Sequence, residues 1–135
     1  MCKHLEKLLL FFGFFFVISI TNANSTKQFD NSLLVGKWKN TFDQFVTYYD
    51  IKSDGFFYGQ LYKNGELVME SEGTWEIINS QIKWEHKNSF PKELTGHIDY
   101  DELLDLSDNS FLIKGDNGEI RKYYRLTSTD QPNQS

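Results

Sequence analysis

The stretch FVTYYDIKSDGFFYGQLYKNGELVMESEGTWEIINSQIKWEH, Phe45 to His86, decides the fold class of this chain. Its dipeptides Asp54-Gly55 and Asn64-Gly65 are those that two-residue hairpins demand, since both central residues of a type I′ turn need φ > 0. Pairing outward from Asp54-Gly55 predicts Ile51 opposite Tyr58 and Tyr49 opposite Gln60. Pairing outward from Asn64-Gly65 predicts Tyr62 opposite Leu67 and Gln60 opposite Met69. One face then reads Phe45, Thr47, Tyr49, Ile51, Phe56, Tyr58, Gln60, Tyr62, Leu67, Met69 and Ser71, and the other carries Asp50, Lys52, Lys63, Glu66, Glu70 and Glu72. Parity through Gly73 continues the inner face with Trp75 and Ile77. A tight turn at Asn79-Ser80 sets Trp75 opposite Trp84 and Ile77 opposite Ile82, with Glu76 opposite Lys83 outside. The pattern is an antiparallel β domain with an aromatic interior.

Upstream, Met1 to Lys7 is short and basic, Leu8 to Ile20 is apolar but for Gly13 and Ser19, and Thr21-Asn22-Ala23 ends in a small residue. This is the layout of a secretory signal peptide over residues 1–23, with an apolar core short of the roughly 20 residues a span needs. The single cysteine, Cys2, falls before the apolar run. Removing residues 1–23 takes away Lys3, Lys7 and Glu6, leaving 112 residues with 12 basic and 18 acidic side chains, a net charge of −6. That length suits one domain, and that sign argues against nucleic acid and anionic membrane surfaces as partners. A cysteine-free exported domain points to a bacterial periplasmic or secreted protein. Residues 24–33 are expected to be flexible or to form one short turn capping the barrel end, and residues 128–135 a disordered polar tail.

Downstream, His86 continues the inner face, and Asn88 to Gly96 reads as a loop over one mouth. From Ile98 the even positions Ile98, Tyr100, Leu104 and Leu106 are expected inside, and His97, Asp99, Asp101 and Asp105 outside, with a bulge near Asp101-Glu102. A turn at Asp108-Asn109 opposes Leu106 with Phe111 and Leu104 with Ile113. A four-residue loop at Gly115 to Gly118 opposes Lys114 with Glu119 and Ile113 with Ile120. The expected fold is all-β, an antiparallel up-and-down meander of about eight or nine strands over residues 34–127, near the number that closes a small barrel. A half-open barrel or a two-sheet sandwich fits the same pairings.

Gly36-x-Trp38 on the first strand and Tyr123-Tyr124-Arg125-Leu126 on the last resemble the lipocalin and calycin pattern, particularly that of small bacterial lipocalin-like domains. The resemblance implies that Trp38 closes one barrel end and packs against a basic side chain of the final strand, Arg125 or Arg121. It also implies a carrier of a small apolar or amphipathic ligand, such as a lipid, fatty acid or pigment.

The expected inner face mixes polar tips with aromatic rings, which suits an amphipathic cavity lined by Tyr49, Phe56, Tyr58, Gln60, Tyr62, Trp75, Trp84 and His86. The same composition also suits a barrel filled by its own aromatics. His86 is the residue best suited to bind a ligand carboxylate. His97 and Asp99 lie two apart, but two mature histidines and no cysteine make a poor metal set, and no cofactor is expected. The acidic run Asp99, Asp101, Glu102, Asp105 lacks the glycine and spacing of a calcium loop and reads as a solvated face. No catalytic motif appears, so a non-enzymatic role is expected. The alternative to a carrier is a filled-barrel interaction module or inhibitor, docking through its loops and acidic outer face on a basic protein such as a cell-wall hydrolase. The sequence leaves the oligomeric state open. Intact-mass analysis of the exported protein should find a chain beginning at Asn24; a product that keeps residues 1–23 would instead mean a retained anchor.

Overall fold

Tight turns carry residues 28–127, the part of the chain that this computed structural model describes, through eight antiparallel strands. They are β1 (Gly36–Phe42), β2 (Phe45–Ile51), β3 (Phe56–Lys63), β4 (Glu66–Ile78), β5 (Gln81–Phe90), β6 (Ile98–Leu106), β7 (Ser110–Lys114) and β8 (Ile120–Arg125). Each pairs with the next, and β8 returns to β1, so the sheet is a closed up-and-down barrel. The signal peptide at 1–23, residues 24–27 of the segment that follows it and the tail at 128–135 lie outside the described residues. Within 24–33, the capping turn forms: Asn31–Leu34 is a 3-10 turn, N-capped by the Asp30 carboxylate, which accepts from the Ser32 N–H at 3.0 Å. The expected mouth loop at Asn88 to Gly96 is shorter than anticipated, because β5 runs on to Phe90 before a second 3-10 turn at Lys92–Leu94.

The side-chain period of two makes each one-residue register change visible as a reversed face. The pairs Trp75↔Trp84, Ile77↔Ile82, Glu76↔Lys83, Tyr62↔Leu67 and Leu106↔Phe111 form as expected. Strand β3 differs. Asp54-Gly55 belongs to a three-residue loop, in which the Lys52 N–H donates to Phe56 O and Gly55 takes φ +89°, so Ile51 faces Phe57 and Tyr49 faces Gly59. Phe57, Gly59 and Leu61 therefore point inward, while Phe56, Tyr58, Gln60 and Tyr62 stand on the outward side of the strand, with Phe56 53% exposed. An extra residue in β4, Val68, then shifts the register between Leu67 and Met69, which restores Met69 and Ser71 to the interior. Leu67, expected inside, is exposed.

Further shifts reset the second half. Ile82 faces Asp101 and Trp84 faces Asp99, so Asp99, Asp101 and Leu103 point inward and Ile98 and Tyr100 outward, the reverse of the expected assignment. The bulge that restores Leu106 to the interior sits at Leu104, with Leu103 facing Ile113. The β7–β8 loop holds five residues, pairing Lys114 with Ile120 and Ile113 with Arg121, which sends Arg121 and Tyr123 inside.

The core sits toward the end of the barrel that the Asn31–Leu34 turn covers. Trp38 is fully buried there, its indole N–H donating to Leu34 O at 2.9 Å. Arg125 is its basic partner, with the guanidinium 4.2 Å from the indole centroid. The same guanidinium donates to Val35 O at 2.8 Å, Leu33 O at 2.7 Å and Asp108 O at 2.5 Å. Gly36 makes room for it: at φ +143° a side chain is strained, and a Cβ there would collide with the guanidinium. Arg125→Ala should lower unfolding free energy by about 2–4 kcal/mol in urea titrations, since it removes charge-assisted bonds to partly buried carbonyls. Arg125→Lys should recover less than half of that, because a point charge cannot reproduce the fork.

Candidate functional site

Aromatic rings fill the interior in a continuous column. Trp38 meets Phe111 edge-on at 4.8 Å, Phe111 stacks on Tyr123 at 4.7 Å, and Tyr123 lies 5.4 Å from Tyr49. Tyr49 stacks on Trp84 at 4.9 Å, Trp84 meets Phe57 edge-on at 5.0 Å, and Phe57 meets His86 at 5.6 Å. Each such pair contributes roughly 0.5–1.5 kcal/mol beyond its burial. Tyr49 fits against β3 because Gly59 stands opposite it, where a Cβ would approach the ring to 2.9 Å.

The column stops short of the open end, formed by the β1–β2, β3–β4, β5–β6 and β7–β8 connections. There it leaves a cavity of about 140 Å³ lined by Thr47, Tyr49, Phe57, Gly59, Gln60, Leu61, Met69, Ser71, His86 and Arg121. Leu61 on β3 and Met69 on β4 give its walls an apolar patch, and Ser71 on β4, His86 on β5 and Arg121 on β8 a polar side.

The polar side is a connected network. Ser71 Oγ is 2.6 Å from His86 Nδ1 and 2.7 Å from Ser89 Oγ. His86 Nε2 is 3.0 Å from Asp99 Oδ2, and His97 Nε2 is 2.9 Å from Asp99 Oδ1. A carboxylate only accepts, so neutral His86 carries its proton on Nε2 and accepts from the Ser71 hydroxyl at Nδ1, leaving the Ser71 oxygen to accept from Ser89. The connectivity is that of a hydroxyl–imidazole–carboxylate relay, with both ends of the imidazole committed.

Deeper in, the Trp84 indole N–H donates to Asp101 Oδ2 at 2.9 Å and Arg121 lies 3.5 Å from Asp101 Oδ1. Burial pushes the Asp101 carboxyl up, and Arg121 and the Trp84 indole only partly offset it. Burial works against the Arg121 charge, but Tyr123, Tyr49, Asp101 and Glu119 outweigh it and the guanidinium stays protonated. Burial also raises Tyr49 well above its ordinary range and pushes Tyr123 up to about 12. Arg121 Nε is buried without a hydrogen-bond partner, whereas a side-chain hydrogen bond from Thr47 acts on the buried Tyr123 hydroxyl. Among the described residues no group of three or more side chains is placed to hold a metal ion.

Of the residues singled out from sequence, Tyr49 and His86 line the cavity and Trp84 lies beneath it in the column. Gln60 reaches its rim, donating from its amide to Tyr58 Oη at 3.0 Å. Phe56, Tyr58 and Tyr62 stand on the outer wall, and Trp75 is at the opposite end of the barrel, where its indole N–H donates to Lys52 O at 2.9 Å. Asp99, Asp101, Arg121 and Tyr123 were missed. For Arg121 and Tyr123 a signal existed: if Arg125 points inward to meet Trp38, strand alternation carries Tyr123 and Arg121 inward with it.

No family model matches the chain, and no curated protein does. Among solved structures, an NMR structure of a protein from Bacteroides uniformis ATCC 8492 is similar, at 19% identity and a TM-score of 0.58, over 78% of this chain and 100% of that one. The likeness is one of fold. Fold alone does not assign a function to the site.

A carboxyl whose folded value lies above the ordinary 3.8 adds stability at lower pH and loses it as pH rises through the raised value. Asp101→Asn keeps an acceptor for Trp84 and cannot titrate. Wild type should therefore lose thermal stability relative to this variant across the acid window that starts near 3.8. Melting curves from about pH 3 to 8 check this, and coincident pH profiles would mean that Asp101 titrates in the ordinary carboxylate range.

Proposed function

We propose that this chain is an exported, lipocalin-like, non-enzymatic binding protein whose ligand is a small amphipathic molecule with an oxygen-acceptor head, a carboxylate or carbonyl, seated in the open-end cavity. The observation that carries this reading is the buried Arg121 Nε, which lacks a hydrogen-bond partner on a side chain that lines that cavity. A buried donor left unpaired costs about 1–3 kcal/mol, and more on a charged group. An oxygen acceptor placed against it removes that cost, and the apolar tail then lies against Leu61 and Met69.

The cavity limits the tail. At about 140 Å³ it is smaller than the 300–1,000 Å³ typical of sites that engulf a drug-sized molecule. A long-chain lipid cannot be enclosed beside the aromatic column, whereas a short acid of about six carbons fits. The Ser71–His86–Asp99 relay shapes the polar wall in this reading, because the Ser71 hydroxyl is held on both sides, by His86 and by Ser89. Export is supported by Met1 to Ala23, and the lipocalin-like assignment by Gly36, Trp38 and Arg125.

Hexanoate titrated by calorimetry or NMR should bind with Kd on the order of 0.1–1 mM, the strength available to a ligand of its size. Arg121→Met should abolish binding while the barrel remains folded, and palmitate should bind no more tightly than hexanoate. Hexanoate binding that survives Arg121→Met removes this reading of the site.

A further inference from the structure

The barrel is closed unevenly. β1 pairs with β2 at seven positions and β7 pairs with β8 at five, whereas β1 and β8 pair at two, Trp38↔Arg125 and Lys39↔Tyr124. Past Lys39 and Tyr124 the two strands separate. The Asn40 side chain spans the gap, donating from Nδ2 to Lys122 O at 2.7 Å. The separation opens a groove of about 520 Å³ on the outside of the barrel, between Thr41-Phe42 and Ile120 to Lys122. Thr41 and Phe42 are paired on their other edge to β2, and Ile120 to Lys122 to β7, so the edges that face the groove are those where the β1–β8 ladder has stopped. Two strand edges that face one another across a groove are a template for an inserted strand, which here takes the place of the Asn40 bridge at Lys122 O.

The side chains around the groove state what kind of strand. Phe42 (56%), Ile120 (59%) and Tyr124 (56%) are exposed apolar surfaces. Lys39 and Lys122 bring outward-facing charge to the groove and no carboxylate borders it, in a chain whose net charge is −5. Arg121 and Arg125 border it as well, with their guanidinium groups turned to Asp101 and to the carbonyls of Leu33, Val35 and Asp108. A local concentration of cations on an acidic protein selects an anionic partner. It also disfavours a second copy of the chain seated symmetrically on the seam, since Lys39 and Lys122 would then face their own counterparts. The chain's own residues 128–135 offer one acidic residue and no large apolar side chain, so they lack the complementary pattern.

We propose that the β1–β8 seam is a docking groove for an extended, acidic segment of another protein, which inserts as a strand, places carboxylates against Lys39 and Lys122, and covers Phe42 and Ile120 with its apolar side chains. This inference does not depend on the cavity or its ligand. A free polyanion would meet the charge and leave the strand edges open, which separates the two in experiment.

The probe is a capped heptapeptide of alternating glutamate and valine, titrated into the mature protein and followed by backbone NMR. The expected result is shift changes confined to Lys39–Phe42 and Ile120–Tyr124, with amide exchange in those segments slowed at least tenfold. Lys39→Glu combined with Lys122→Glu, both on the outer face, should weaken binding at least tenfold. It should also turn the preference toward the matching lysine–valine peptide, while the melting temperature and hexanoate binding stay as in wild type. Three results overturn the proposal: no response to the peptide, equal shifts and exchange protection from polyphosphate, which would make the seam a charge patch, or concentration-dependent shifts at these residues without peptide, which would assign the seam to a second copy.

Discussion

One side chain holds the barrel shut. The Arg125 guanidinium stacks on Trp38 and donates to carbonyls of Leu33, Val35 and Asp108, which ties β8 to the N-terminal turn, to the entry of β1 and to the β6–β7 connection. Backbone pairing between the first and last strands covers two positions, so at this seam the ladder contributes less than a typical hairpin does. A charged, planar donor with several N–H groups makes up the difference, because each carbonyl it reaches would otherwise be left at the barrel end without a strand partner. Gly36 is the counterpart of that packing on β1.

The clasp also sets what the interior contains. With Arg125 inward, alternation turns Tyr123 and Arg121 inward as well, and they bring a phenol and a second guanidinium into a space otherwise filled by rings. Tyr123 joins the column through Phe111 and Tyr49, whereas Arg121 reaches Asp101 and the cavity wall. The polar residues thus collect toward the open end, and the closed end is apolar apart from Arg125. This polarity confines the cavity to one mouth and limits its size.

The two openings of the molecule differ in kind. The cavity at the mouth is small, walled by side chains and partly polar, and Arg121 in its lining has a buried Nε that lacks a partner. The seam groove is shallow, larger, cationic and bordered by strand edges. Small acceptor-bearing molecules suit the first, and an acidic extended segment suits the second.

The sequence by itself determined the class of fold and most of the hairpins. These follow from local chemistry: Asn-Gly at a two-residue turn, alternation along β2 and β4, and aromatic rings recurring with a period of two. It did not determine the lining of the site. Asp54-Gly55 suits a two-residue turn and a three-residue loop alike, and the two differ by one position, which exchanges Tyr58 and Gln60 for Phe57 and Gly59 at the interior. The bulges at Val68 and Leu104 and the five-residue β7–β8 loop act in the same way, and they decide whether Met69, Asp101 and Arg121 face in. Only the tertiary structure fixes these choices. A bulge costs little locally in either position, and its placement is selected by the packing of the whole aromatic column and by the requirement that the last strand meet the first.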